Sequence, residues 1–184
     1  KVTNIVYMGQ GEPLLNYDNL LASIKIFREQ FQIGARRITV STCGLIPQIN
    51  KLASIDFQST LAISLHAPNQ EKREKIMPVA KKYKFDELIN CLKKYTETTG
   101  RRVTVEYVLM NGINDSVEDA KQLALSISKL KSNVNLIVYN QNEKSYYKKP
   151  KKETIQKFKY ILEASGKKVT IRLERGADID AACG

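Results

Sequence analysis

Short apolar runs alternate with stripes of helical period along the whole chain. Asn4-Ile5-Val6-Tyr7-Met8 predicts a strand, and Leu20, Ile24, Phe27 and Phe31 fall on one stripe of a helix from Tyr17 to Phe31. Arg37 to Ser41 predicts a second strand, with Ile46, Ile49 and Leu52 marking a short helix after it. Thr60 to Leu65 predicts a third strand. Asp86 is placed to cap a helix carrying Leu88, Ile89, Leu92 and Tyr95, which Gly100 closes. Arg102 to Leu109 predicts a fourth strand. Ser116-Val117-Glu118-Asp119 resembles a capping box with Asp in place of the usual Glu. It opens a helix striped by Ala120, Leu123, Ala124, Ile127 and Leu130. Val134 to Tyr139 predicts a fifth strand. A helix from Thr154 to Ser165 turns Ile155, Phe158, Ile161 and Leu162 inward and stops at Gly166, and Val169 to Leu173 predicts the last strand.

This is a repeated β–α unit, so the fold class is α/β, with mostly parallel strands, outer helices and right-handed crossovers. A closed eight-stranded barrel needs roughly 250 residues. The 184 residues here suit an open or partial (β/α) barrel, read as a single domain over 1–184. In such folds chemistry collects at the C-terminal ends of the strands.

Hydrophobic residues make up 42% and charged residues 27%, the balance of an ordinary globular chain. No apolar run approaches the roughly 20 residues of a membrane span, and the opening residues read as a buried strand and not as a signal peptide. Cys43, Cys91 and Cys183 are odd in number and far apart, with no CxxC or CxxxCxxC. That argues against a disulfide framework and a self-contained metal or iron–sulfur site, and for a reducing, cytoplasmic setting. Thirty Lys and Arg against nineteen Asp and Glu give a formal charge of +11, which suits a polyanion such as nucleic acid.

After the first strand comes Met8-Gly9-Gln10-Gly11-Glu12-Pro13-Leu14, two glycines followed by a carboxylate. It lacks the length and lysine of a phosphate loop, and its carboxylate suits an ammonium group. Ser41-Thr42-Cys43-Gly44, Ser64-Leu65-His66-Ala67-Pro68 and Tyr139-Asn140 follow later strands. Together they form a rim of small polar groups for a metabolite carrying a carboxylate and hydroxyls. His66 is the only histidine, which excludes a multi-histidine metal centre. Cys183 sits among small residues in Gly176-Ala177-Asp178-Ile179-Asp180-Ala181-Ala182-Cys183-Gly184, as a nucleophile or carrier would, or as a buried thiol would. Lys144-Ser145-Tyr146-Tyr147-Lys148-Lys149-Pro150-Lys151-Lys152 interleaves aromatics with lysines, a pattern for phosphate contact and base stacking or for a solvated loop.

MGQGEPLLN, STCG, SLHAPN, Ile76-Met77-Pro78, the GIND of Gly112 to Asp115 and GADIDAACG fall in one order on this β–α series. As an ordered set over essentially the whole chain, they resemble the radical S-adenosylmethionine (SAM) methyltransferases that methylate adenine in 23S ribosomal RNA. The resemblance implies a partial barrel of the radical SAM type and methyl transfer to adenine carbon 2 of 23S rRNA, and of tRNA as well. It implies that Gly11 and Glu12 hold the methionine amino group of SAM, and that Ser41, Ser64, Leu65, His66 and Asn140 line the same cofactor. Cys183 matches the cysteine that is itself methylated and carries the methyl group. A second SAM is cleaved at a [4Fe-4S] cluster supplied with electrons by a donor.

The chain departs from that family at its ends. The cluster-binding CxxxCxxC loop, the N-terminal RNA-binding domain, a second catalytic cysteine and an N-terminal glutamate base have no counterpart in the sequence. The expectation is a piece of a longer enzyme, beginning at the second strand of the barrel and inactive alone. Methylation at adenine carbon 8, as in the antibiotic-resistance branch, stays open, as does a non-catalytic RNA-binding barrel.

Overall fold

The computed structural model describes residues 2–140 and 146–172. Six strands form one sheet in the order of the chain: β1 (Ile5–Tyr7), β2 (Ile38–Thr42), β3 (Thr60–Ser64), β4 (Val103–Leu109), β5 (Ser132–Val138) and β6 (Lys168–Arg172). Every neighbouring pair is parallel. Helices α1 (Tyr17–Glu29), α2 (Ile46–Ala53), α3 (Gln70–Ile76), α4 (Phe85–Thr99), α5 (Val117–Ser126) and α6 (Lys152–Ala164) connect them. The α/β partial barrel expected from the pattern is the fold observed.

The register separates two faces. Val40, Leu61, Val103 and Ser132 lie in one row, and Ile63, Val105, Val134 and Val169 in another; their apolar members are buried against the helices. The opposite face carries Ser41, Ala62 and Thr104 in one row, then Ser64, Glu106, Asn135 and Thr170 in the next. Parallel strands covered on both faces usually read as continuous apolar runs. Here the helix face is apolar throughout, while the inner face mixes these polar groups with apolar ones such as Val108 and Ile137, as a ligand with polar and apolar parts requires.

Local signals hold where they are strong. Gly100 ends α4 at φ 67°, where a side chain would be strained. Ser116 and Asp119 form a reciprocal capping box at the start of α5. Two expectations are corrected. The first helix ends at Glu29, and Phe31 lies beyond it, 61% exposed, with its ring on Phe27 at 5.7 Å. Asp86 is not the cap but lies in the first turn of α4: the helix starts one residue earlier, at Phe85 behind the N-cap Lys84, and the Phe85 N–H is met by Gln70 Oε1 at 2.6 Å. Helix α3 carries no apolar stripe and was not expected from the pattern; its chemistry appears at the site. Strand β6 is observed to Arg172, and the expected Leu173 lies outside the described residues.

Candidate nucleoside site at the strand ends

The C-terminal ends of the strands enclose a cavity of about 450 Å³, lined from all six strand ends by Glu12, Cys43, His66, Met110, Tyr139 and Arg172 among others. This is the size of a small-ligand pocket.

The loop after β1 turns at Gly11, φ 94°, and brings Glu12 inward. Glu12 Oε1 accepts from Leu14 N at 3.0 Å, capping the turn Pro13–Asn16, whose Leu14 is wholly buried and anchors it. Glu12 Oε2 accepts from Cys43 N at 2.7 Å, so one carboxylate joins the ends of β1 and β2.

Beneath these loops lies Arg73 of α3, with no exposed surface. Its Nη2 donates to Cys43 O at 2.7 Å and Ser64 O at 3.3 Å, and its Nε donates to Leu65 O at 3.2 Å. The main chain of Cys43 is thus held on both sides of its Cα, the N–H by Glu12 and the carbonyl by Arg73. Burial lowers the Arg73 pKa to about 10, which leaves it a cation at neutral pH. Gly44 beside it is at φ 102°, and a Cβ there would stand 2.8 Å from Leu88 Cδ2. Glycine is required at that point for backbone and space alike.

His66 follows β3 in a left-handed conformation, φ 56°. Its Nδ1 accepts from Val108 N at 3.2 Å, which fixes the neutral tautomer carrying its proton on Nε2. Although the ring keeps some accessible surface at the cavity wall, it is deeply set. Burial first, then the charge of Arg73, lowers its pKa from 6.5 to about 4. The unfolded chain therefore takes up a proton that the folded one refuses. Stability is lost as pH falls from about 6.5 toward about 4. Melting temperatures across that window are expected to fall more steeply for the wild type than for His66→Asn, because Asn tolerates the positive φ and does not titrate. Parallel slopes would contradict the assignment.

Cys43 lines the same cavity, but burial and the neighbouring Glu12 push its thiol up to about 12, so it is protonated and unreactive. Cys91 packs in α4 with its Sγ 3.3 Å from Asn50 Oδ1.

Of the residues singled out from sequence, Gly11, Glu12, Ser41, Ser64 and His66 line the cavity. Leu65 does not: strand alternation sends its side chain into the core, and only its carbonyl serves the site, through Arg73. Asn140 does not line it either; Tyr139, one residue earlier, does, with its ring 5.8 Å from that of Tyr147. Cys183 lies outside the described residues, as do Lys144 and Ser145 of the basic run. Arg73 and Glu106 were missed. A carboxylate inside the apolar run Val103-Thr104-Val105-Glu106-Tyr107 was a usable signal, since such a group is rarely buried without purpose.

The radical SAM superfamily model matches residues 1–124. The chain belongs to the radical SAM superfamily. Over all of its length it is 49% identical to the "Probable dual-specificity RNA methyltransferase RlmN" of Alkaliphilus oremlandii, covering 54% of that protein. A crystal structure of a radical SAM methyltransferase from Sphaerobacter thermophilus superposes on the whole chain with a TM-score of 0.95 at 46% identity, with 55% of that protein covered. This radical SAM chain therefore spans about half the length of the curated relatives it matches. A domain of pyruvate-formate lyase-activating enzyme from Bacteroides vulgatus shares the fold, with a TM-score of 0.72 at 20% identity.

Proposed function

We propose that this chain is the nucleoside-binding part of an RNA methyltransferase that transfers a methyl group from S-adenosylmethionine to adenine carbon 2 in 23S rRNA and tRNA. The cavity at the strand ends, with Glu12 clamped across two of them, carries this reading. When bound, S-adenosylmethionine supplies both the methyl group and, on reductive cleavage, a carbon radical. The residues present fit such a ligand. Gly11 lets the backbone approach, and Glu12 presents charge to an ammonium group. Ser41 and Ser64 offer hydroxyls, while Met8, Val108, Met110 and Ile137 give apolar walls for a purine. Neutral His66 adds an N–H without a second positive charge beside a cationic ligand.

Among the described residues no three His, Cys, Asp or Glu side chains gather to hold a metal ion. The iron–sulfur cluster is accordingly assigned to ligands elsewhere in the full-length protein. Cys183 is assigned the role of methyl carrier, on the resemblance of its motif. The RNA is placed at the cavity mouth. There the segment Tyr146 to Lys152 runs from the rim into α6, with Tyr146 99% exposed and Lys148, Lys151 and Lys152 at the surface. Among the described residues no helix is long and apolar enough to cross a membrane.

Two variants of the full-length protein test the reading together. Glu12→Gln turns a donor toward a backbone N–H and removes the charge, so S-adenosylhomocysteine affinity by calorimetry is expected to fall roughly tenfold or more. Cys183→Ala is expected to bind as the wild type does, yet to transfer no methyl group to RNA. Unchanged affinity in the first, or residual methylation in the second, would overturn the corresponding assignment.

A further inference from the structure

Glu106 stands at mid-strand in β4 with 4% of its surface exposed, and it lines the cavity. Its Oε1 accepts from the Asn135 amide at 3.0 Å, while its Oε2 has no hydrogen-bond partner among the described residues. Burial raises its pKa, opposed by the Asn135 bond and by the charge of Arg172. An acceptor left buried in this way is costly, and such groups are uncommon in folded proteins. The adjacent position on the inner face of β3, in register with it, is Ser64, which also lines the cavity.

We propose that Glu106 Oε2 accepts a hydrogen bond from a ribose hydroxyl of the nucleoside held in this cavity, with Ser64 Oγ serving the neighbouring hydroxyl. This rests on the cofactor reading above and adds a residue to it. An orphan acceptor is completed by a hydrogen, which a sulfonium centre does not carry. The ammonium group belongs to Glu12, which sits on the loop of β1. Glu106 is three strands away, roughly 14 Å along a flat sheet before curvature shortens it, too far for one cation to serve both carboxylates. The remaining donors of the nucleoside are the base amino group, carried on a single nitrogen, and the two sugar hydroxyls on neighbouring carbons. A carboxylate and a hydroxyl side by side match two vicinal hydroxyls, each of which both gives and accepts. Asn135 fixes the carboxylate plane from the far side, leaving one oxygen for the ligand.

The test is a binding cycle on the full-length protein, by calorimetry, with S-adenosylhomocysteine and its 2′-deoxy and 3′-deoxy forms as probes. In the wild type, removing the hydroxyl that meets Glu106 is expected to weaken binding roughly tenfold to a hundredfold. In Glu106→Ala the same removal is expected to cost little, because the acceptor has gone; Glu106→Gln, of the same size, falls between. The comparison is made within each folded variant, so lost stability does not mimic it. If both deoxy probes are penalised in Glu106→Ala as much as in the wild type, the inference falls. It also falls if Glu106→Ala weakens S-adenosylmethionine but not S-adenosylhomocysteine, since the carboxylate would then be answering the sulfonium charge. If wild-type protein binds none of the probes, the cofactor reading fails and this inference with it. If it binds and Glu12→Gln weakens it, while the deoxy penalties ignore Glu106, only this inference fails.

Discussion

Arg73→Met is expected to lower the stability of the protein by about 3 kcal/mol in urea unfolding and to abolish tight nucleoside binding in the fraction that remains folded. Arg73 has no exposed surface, and its guanidinium holds the carbonyls of Cys43, Ser64 and Leu65. Methionine fills much of the same volume but donates nothing. Three carbonyls at the ends of β2 and β3 lose a donor, that of Leu65 in a buried bond and those of Cys43 and Ser64 in partly buried ones. One effect opposes this: the buried cation itself is costly, and its Nη1 has no hydrogen-bond partner among the described residues. Removing the charge recovers part of that cost, which keeps the net loss to a few kcal/mol. Arg73→Lys retains the charge but offers a point where the fork was, so an intermediate loss is expected. The binding defect follows from the Cys43 peptide, which swings once its carbonyl is released and takes the Glu12 carboxylate with it. A variant as stable as the wild type, or one that still binds S-adenosylhomocysteine with wild-type affinity, would show that the clip is dispensable.

Asn114→Leu is expected to be comparably damaging, at about 3 kcal/mol or more. Asn114 is wholly buried, and its amide is fully used. Oδ1 accepts from Met110 N at 2.8 Å, and Nδ2 donates to Val108 O at 2.7 Å and to His66 O at 2.8 Å. Its main-chain oxygen takes the Tyr107 hydroxyl at 2.8 Å. One side chain therefore ties the end of β4 to the end of β3 and holds His66 in its left-handed conformation. Leucine leaves two carbonyls and one N–H unpaired. Asn114→Asp is the sharper probe. Its second oxygen faces two carbonyls, which favours the protonated acid and raises its folded-state pKa. Its deficit relative to wild type is therefore expected to shrink as pH falls through that raised pKa. An unchanged deficit across the acid range would mean that the carbonyls have moved apart to admit the charge.

Arg73 and Asn114 also mark where the sequence was legible and where it was not. The strands and most helices follow from apolar runs of the right period, because a face of Leu20 and Ile24 or of Leu88 and Leu92 has one way to leave water. The capping box at Ser116 and the stop at Gly100 were equally plain, since the first closes within four residues and the second rests on glycine's own left-handed conformation. Glu12 stood out as a carboxylate behind two glycines at a strand end. Asn114 was visible only as part of a recurring motif; nothing local says that its amide bridges two strands. Asp86 was misread as a cap because the helix begins before it, at Phe85, whose side chain is buried and whose N–H is met by Gln70 of another helix.

The alternation of segments, the parallel sheet and the place of the cavity are thus set by the sequence itself, through periodicity and turn chemistry that act between near neighbours. What only the tertiary structure decided is which polar groups are buried, and against what. Helix α3, Gln70-Glu71-Lys72-Arg73-Glu74-Lys75-Ile76, reads as a solvated surface segment, yet packing sends one of its cations wholly inside. The reason is that strand-end carbonyls of β2 and β3 converge there without donors of their own, and a guanidinium from a third segment reaches all of them at once. Glu106 is the complementary case: a buried acceptor with no partner among the described residues, at the wall of the cavity that the strand order creates.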